Sequence, residues 1–214
     1  MKNNMYFHYD QIAVDYLCRK DKRLAAAIEQ IGHINRPVDS NLFSSVVHHI
    51  IGQQISTRAQ QTIWQRMQDK FVEVSPQTIG NATLEDLQSV GMTYRKAQYI
   101  QEFSQKILDG TFDLQAVAEM PDNEAIHALV ALKGIGVWTA EMILLFCLQR
   151  LDIFSYEDLA IQRGLRMLYR HKSISRTLFE RYRRRFTPYG SIASLYLWAL
   201  AGGAIPELID PQKK

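Results

Sequence analysis

The sequence predicts an all-α fold, and three observations predict it. Apolar residues recur at helical spacing along the whole chain, and no alternation persists long enough for a strand. Asp, Ser or Thr stands just ahead of most periodic stretches, where a side-chain oxygen can satisfy the first free N–H groups. Glycine or proline closes them. Composition agrees: of 214 residues, 47% are apolar and 22% charged, enough for a sizeable core without staples.

Taken in order, Tyr9 to Cys18 is amphipathic, with Ile12, Tyr16 and either Val14 or Leu17 available to the core. Asp21 is placed to cap Lys22–Ile31, with Gly32 just past its end. Arg36-Pro37 breaks the chain. Asp39 or Ser40 can cap the next helix, which carries Phe43, Val46, Val47, Ile50 and Ile51. Gly52-Gln53-Gln54-Ile55 interrupts it, and Ser56 or Thr57 caps a long helix to about Val72. Pro76 marks a loop, and a short helix runs from Leu84 to Val90 and stops at Gly91.

Thr93 caps a helix whose Ala97, Ile100, Phe103 and Ile107 form an apolar stripe ending at Asp109-Gly110. Pro121-Asp122 opens Asn123–Leu132, and Lys133-Gly134-Ile135-Gly136 then turns the chain into a helix beginning near Val137. Helix resumes over Leu159–Tyr169, with Leu165 and Leu168 inward. Ser175 caps Arg176–Phe186, which has a strongly basic face, and beyond Pro188-Tyr189-Gly190 a last helix runs from Ser191 to Leu200. That makes roughly ten helices, with no repeat, low-complexity segment or flexible linker.

Several functions are excluded. Cys18 and Cys147 are the only cysteines, so neither a four-thiolate iron–sulfur cluster nor an all-cysteine zinc site can form. A reduced, cytoplasmic protein is expected. MKNNMYFHYD lacks the apolar core of a leader, and the longest apolar run, Met142–Leu148, is seven residues, so no membrane partner is expected. Neither a P-loop, nor GxGxxG, nor an ordered Ser-His-Asp set occurs. A net charge of +3 and a pI near 8.8 permit a nucleic-acid partner without requiring one.

The residues that can carry chemistry gather around Leu132–Asp158. Glycines in Lys133-Gly134-Ile135-Gly136 permit a sharp turn and a close approach by another molecule. The helix beyond points its unpaired N–H groups and positive end over the hairpin, where a phosphate is a natural occupant. An ordinary glycine turn between packed helices is the alternative. Asp158 lies 22 positions after Gly136 (158 − 136), enough for a helix and a returning loop. Its carboxylate could steady a positive charge or activate water. Equally, Asp158 or Glu157 caps the helix that follows.

Trp138, Tyr189 and Trp198 could line a pocket for a planar base, or all three could be core. A cationic base would gain about 0.5–2 kcal/mol per ring. Gln53 and Gln54 could fill a hole in a base stack, or form a solvated turn. His48 and His49 lack partners at metal-ligand spacing and read as structural. Arg181, Arg183, Arg184 and Arg185 could meet phosphates or form a solvated face.

LKGIGVWTAEMILLF followed by Asp158, with IIGQQIS upstream and SLYLWAL downstream, resembles the helix-hairpin-helix DNA glycosylases, the 3-methyladenine DNA glycosylase II branch above all. The match runs from about Phe43 to Gly203 in the family's order. It implies a two-lobed helical fold with no β domain. One lobe would be residues 42–150, holding the helix-hairpin-helix, and the other residues 1–41 with 151–214, carrying the catalytic aspartate.

Residue by residue, the resemblance makes Asp158 catalytic and places Trp138, Trp198, Met142 and Tyr189 at the base pocket. Lys133, Gly134, Ile135, Gly136, Val137 and Thr139 would hold the DNA backbone. Gln53, Gln54 and Ile55 would form the loop pushed into the duplex. Trp138 stands where bifunctional relatives carry a lysine, which implies base removal without strand cleavage. No iron–sulfur cluster or other cofactor is implied, though a monovalent cation at the hairpin stays open. The enterobacterial type has an extra β-rich N-terminal domain and an aliphatic wedge, whereas this chain has Gln54 at the wedge. Met142 replaces a familiar pocket tyrosine. The implied activity is monofunctional excision of alkylated, cationic purines such as 3-methyladenine and 7-methylguanine from double-stranded DNA, by a monomer. A non-catalytic DNA-binding module or a glycosylase for another lesion is the alternative.

Overall fold

The computed structural model describes residues 6–212. Among them are thirteen helices and no strand, the sole β feature being an isolated bridge between Tyr6 and Pro37. The predicted all-α class is what forms. Part of the stretch read for a leader, Met1–Met5, lies outside the described residues. None of the described helices is long and apolar enough to cross a membrane.

The chain divides into two compact units, Met1–Val38 with Gln149–Lys214, and Asp39–Leu148. The first holds α1 (Gln11–Lys20), α2 (Lys22–Ile31), α11 (Leu159–Tyr169), α12 (Arg176–Phe186) and α13 (Gly190–Ala201). The second holds α3 (Leu42–Gly52), α4 (Thr57–Phe71), α5 (Pro76–Gly80), α6 (Leu84–Ser89), α7 (Tyr94–Leu108), α8 (Leu114–Glu119), α9 (Asp122–Val130) and α10 (Val137–Phe146).

Caps explain most boundaries. Asp21, Ser56, Thr93 and Ser175 each accept a backbone N–H from the first turn of the helix they precede. Three expectations are corrected. Asn41, not Asp39 or Ser40, caps α3, while Asp39 accepts the Asn41 N–H at 3.0 Å and the Ser44 hydroxyl at 3.0 Å. Asp10 starts α1 at Gln11, and that phase buries Ala13 and Leu17 and leaves Ile12 66% exposed. Pro76 opens a helix rather than a loop: it lacks an N–H at a position that needs none, and Ser75 and Thr78 form a capping box around it. α8 is a second short helix the pattern did not reveal, held by Asp113 accepting from Gln115 and Ala116.

In the unit 39–148, Phe43, Val46, Val47, Ile50 and Ile51 are all buried, and Phe43 stacks on Phe103 of α7 at 5.3 Å. α10 is buried from Thr139 to Leu145, so it is a central helix rather than an amphipathic one. In the other unit α11 and α13 cross closely. A Cβ on Gly164 would lie 2.3 Å from the Leu197 carbonyl oxygen, so only glycine permits that approach. Leu165 and Leu168 face inward as predicted.

Candidate active site

Asp158 stands at the N-cap of α11 and is 6% exposed. Its Oδ1 accepts the backbone N–H groups of Ala160 at 2.9 Å and Ile161 at 2.8 Å, and the indole Nε1–H of Trp198 at 3.1 Å. Of the readings given to Asp158, the cap is the one that forms. The carboxylate that caps the start of α11 thereby faces the helix's positive pole and the Trp198 ring. Glu157 is exposed and is not the cap.

The loop leading to Asp158 is held by its backbone. Ser191 Oγ donates to the Arg150 carbonyl at 2.5 Å and accepts the Ile153 N–H at 2.9 Å. Ser194 Oγ donates to the Ile153 carbonyl at 3.2 Å, and Gly190 N–H to Asp152 Oδ1 at 3.0 Å. Arg183 Nη2 donates to the Phe154 carbonyl at 2.6 Å, and Gln162 Nε2 to the Tyr156 carbonyl at 2.6 Å. Thus α13 fixes both the loop, through its first turns, and Trp198, whose neighbour Leu197 packs on Gly164. Tyr189, expected beside the base, meets Tyr16 edge-on at 5.2 Å.

The hairpin belongs to the unit 39–148. Leu132 and Ile135 are its buried anchors, and Ile135 N–H donates to the Leu132 carbonyl at 3.2 Å. Gly134 has φ +85, and a Cβ there would lie 2.6 Å from the Tyr99 ring. The close approach its missing side chain permits is thus made by Tyr99 of α7. Over Gly136, by contrast, an added Cβ would meet nothing within 4 Å. No side chain caps α10, whose start at Val137 lies open beside this glycine. Lys133, Val137 and Trp138 are exposed, the last by 42%, and Lys133 pairs with Glu102 at 2.9 Å. Thr139 and Met142 are buried, at 6% and 3% exposure, so neither side chain presents a broad surface.

The Gly52–Ile55 loop separates its two glutamines. Gln53 is half-buried and its amide donates to the Gly134 carbonyl, whereas Gln54 is exposed with φ +58. Ile55 is 37% exposed. Lys96 of α7, which the sequence did not single out, donates from Nζ to the Ile51 carbonyl at 2.8 Å and the Gln53 carbonyl at 2.7 Å. One lysine at helical spacing carries no signal that would mark it.

Half of the α12 arginine run is engaged within the protein. Arg183 holds the Phe154 carbonyl, and Arg185 pairs with buried Asp21 at 2.5 Å. The Asp21 carboxylate raises the Arg185 pKa, chiefly through that hydrogen bond. Arg181 and Arg184 remain exposed.

A family model described as HhH-GPD superfamily base excision DNA repair protein matches residues 47–188, which span the glutamine loop, the hairpin and Asp158. The chain belongs to the HhH-GPD superfamily. Among its relatives, the Bacillus subtilis protein YfjP is 28% identical over 187 residues, covering 82% of this chain and 64% of its own. The chain therefore spans just under two thirds of that relative. DNA-3-methyladenine glycosylase 1 of Schizosaccharomyces pombe is 28% identical over 165 residues, covering 73% and 71% of the two chains. The crystal structure of a DNA-3-methyladenine glycosidase from Bacillus halodurans superposes with a TM-score of 0.84, at 32% identity and 95% coverage of both chains. Within this HhH-GPD member, α10 starts without a side-chain cap and Asp158 accepts the Trp198 indole N–H.

Proposed function

We propose that this protein is a DNA glycosylase of base excision repair that flips alkylated, cationic purines such as 3-methyladenine and 7-methylguanine out of duplex DNA and releases them by hydrolysis. The observation that carries the reading is the Asp158 carboxylate, held by two backbone N–H groups and the Trp198 indole N–H in a chain whose relatives include a DNA-3-methyladenine glycosylase.

A base stacked in a duplex is out of reach, so the nucleotide must leave the helix at a cost of a few kcal/mol. The open N-terminus of α10, with Lys133, Gly134, Ile135, Gly136 and Val137, takes a backbone phosphate beside the lesion. Gln54, the outward glutamine, fills the gap, with Ile55 beside it. Alkylation at N3 or N7 makes the purine a positively charged leaving group that departs neutral with the electron pair of the broken N-glycosidic bond. The positive charge then develops on the sugar. The Asp158 carboxylate stabilises that charge and orients the water whose oxygen bonds to C1′ and whose proton passes to solvent. Trp198, bonded to Asp158, offers a ring face to the cationic base. Trp138 is no nucleophile, so no imine forms and the strand stays intact. The reaction calls for no cofactor.

Base release from methylated duplex DNA, with wild type and Asp158→Asn side by side, tests the proposal. Wild type is expected to release free methylpurines and leave an uncut abasic strand. The variant should lose at least roughly a hundredfold in rate while DNA binding persists. Unimpaired turnover by Asp158→Asn would sink the mechanism. Strand cleavage by wild type would overturn the role given to Trp138. Salt-sensitive binding without any release would point to a non-catalytic module or another lesion.

A further inference from the structure

The two elements proposed to touch DNA are fastened to a single helix and to each other. From α7, the Lys96 ammonium donates to the carbonyls of Ile51 at 2.8 Å and Gln53 at 2.7 Å. Three residues on, the Tyr99 ring lies beneath Gly134, and three further on Glu102 pairs with Lys133 at 2.9 Å. Spacings of three keep these side chains on neighbouring positions of one helix face. The Gln53 amide closes the circuit by donating to the Gly134 carbonyl.

The Lys96 contacts suit their place. The last carbonyls of α3 have no partner within the helix and carry its negative pole, so an ammonium there is a fitting donor. Burial lowers the Lys96 pKa, the sign of a cation kept from water for these bonds. A hydrogen bond across 81 residues, from Gln53 to Gly134, also leaves Gln53 unable to enter a duplex without breaking it.

We infer that Lys96 and Gln53 are positioning residues that lock the Gly52–Ile55 loop to the hairpin as one rigid DNA-engaging platform, with Gln54 the side chain that enters the stack. The inference rests on the glycosylase reading for its purpose, since a wedge works only if it arrives in register with the grip on the phosphate. Lys96→Met keeps the stem and removes the donors. Gln53→Leu keeps the bulk and removes the amide. Neither touches the DNA in the proposed complex.

The test is a duplex with 2-aminopurine beside the lesion, whose fluorescence rises as the neighbouring base unstacks, read together with single-turnover release and thermal melting. Lys96→Met and Gln53→Leu are expected to melt within a few degrees of wild type and to lose roughly ten- to a hundredfold in both flipping and release. Release should recover when the lesion lies opposite an abasic site, where little stacking must be broken. Lys96→Arg, which retains a cationic donor, should restore part of the loss, and Gln54→Ala should lose flipping without a change in melting.

Unchanged flipping in folded Lys96→Met and Gln53→Leu would overturn the platform while leaving the glycosylase reading intact. Wild type that flips but releases no base would overturn the glycosylase reading and leave the platform standing. Gln54→Ala with full flipping would overturn its assignment as the inserted side chain.

Discussion

At the scale of residues, substitutions can separate the cap that Asp158 forms from the catalytic role proposed for it. Its Oδ1 satisfies the N–H groups of Ala160 and Ile161. Alanine removes that cap at a cost of about 0.5–2 kcal/mol. In a chain of this size Asp158→Ala should therefore lower the melting temperature by roughly 1–8 °C. Asparagine caps as well as aspartate does, so Asp158→Asn should melt near wild type and fail only in excision. Comparing the two melting curves checks this. Trp198→Phe keeps an aromatic face but deletes the N–H that reaches Asp158 at 3.1 Å. A hydrogen bond to a charged group is worth about 1.5–3 kcal/mol, so single-turnover release should fall roughly ten- to a hundredfold.

At the scale of elements, the α11–α13 crossing is the point where fold and site meet. Gly164→Ala would place a methyl group 2.3 Å from the Leu197 carbonyl oxygen, and helix backbone cannot give way as a side-chain tip can. A loss of about 2–3 kcal/mol is expected, with melting as the readout. Release should slow beyond what the melting shift explains, because Trp198 follows Leu197 directly.

The end of α3 carries a second element-scale effect. Burial lowers the pKa of His48, helped by neighbouring His49 and opposed by Asp39. Burial likewise lowers that of His49, opposed by the Ser45 carbonyl and Asp39. Below about pH 6.5 the unfolded chain then binds more protons than the folded one. Stability contributed by the neutral rings is full above that pH and is lost as the pH falls through their depressed values. Melting between about pH 7.5 and 5 should show the loss, and His48→Gln/His49→Gln should show a shallower one.

At the scale of the whole molecule, the proposed duplex partner would meet a chain of net charge +3. If about four phosphates are neutralised, affinity should fall roughly a hundredfold between about 50 and 200 mM salt. A titration at several salt concentrations reads the slope directly, and a flat response would remove the duplex from the account.

What the sequence by itself determined is whatever local chemistry decides. Helical periodicity and cap residues sufficed for the all-α class and for the spans Lys22–Ile31, Leu159–Tyr169 and Arg176–Phe186, because a cap acts within three residues of itself. Pro76 and α8 escaped because one turn of helix has no periodicity to read. The ordered motifs singled out Asp158, the hairpin and the glutamine loop as the candidate site. Only tertiary structure could give different surroundings to Gln53 and Gln54, which are adjacent and chemically identical. The difference lies in Gly134, 81 residues away, whose carbonyl takes one amide and leaves the other exposed. Lys96 gained its meaning in the same way, from carbonyls 43 and 45 residues distant. Such bonds depend on where packing brings backbone oxygen atoms, and backbone oxygen is the one group every residue carries alike.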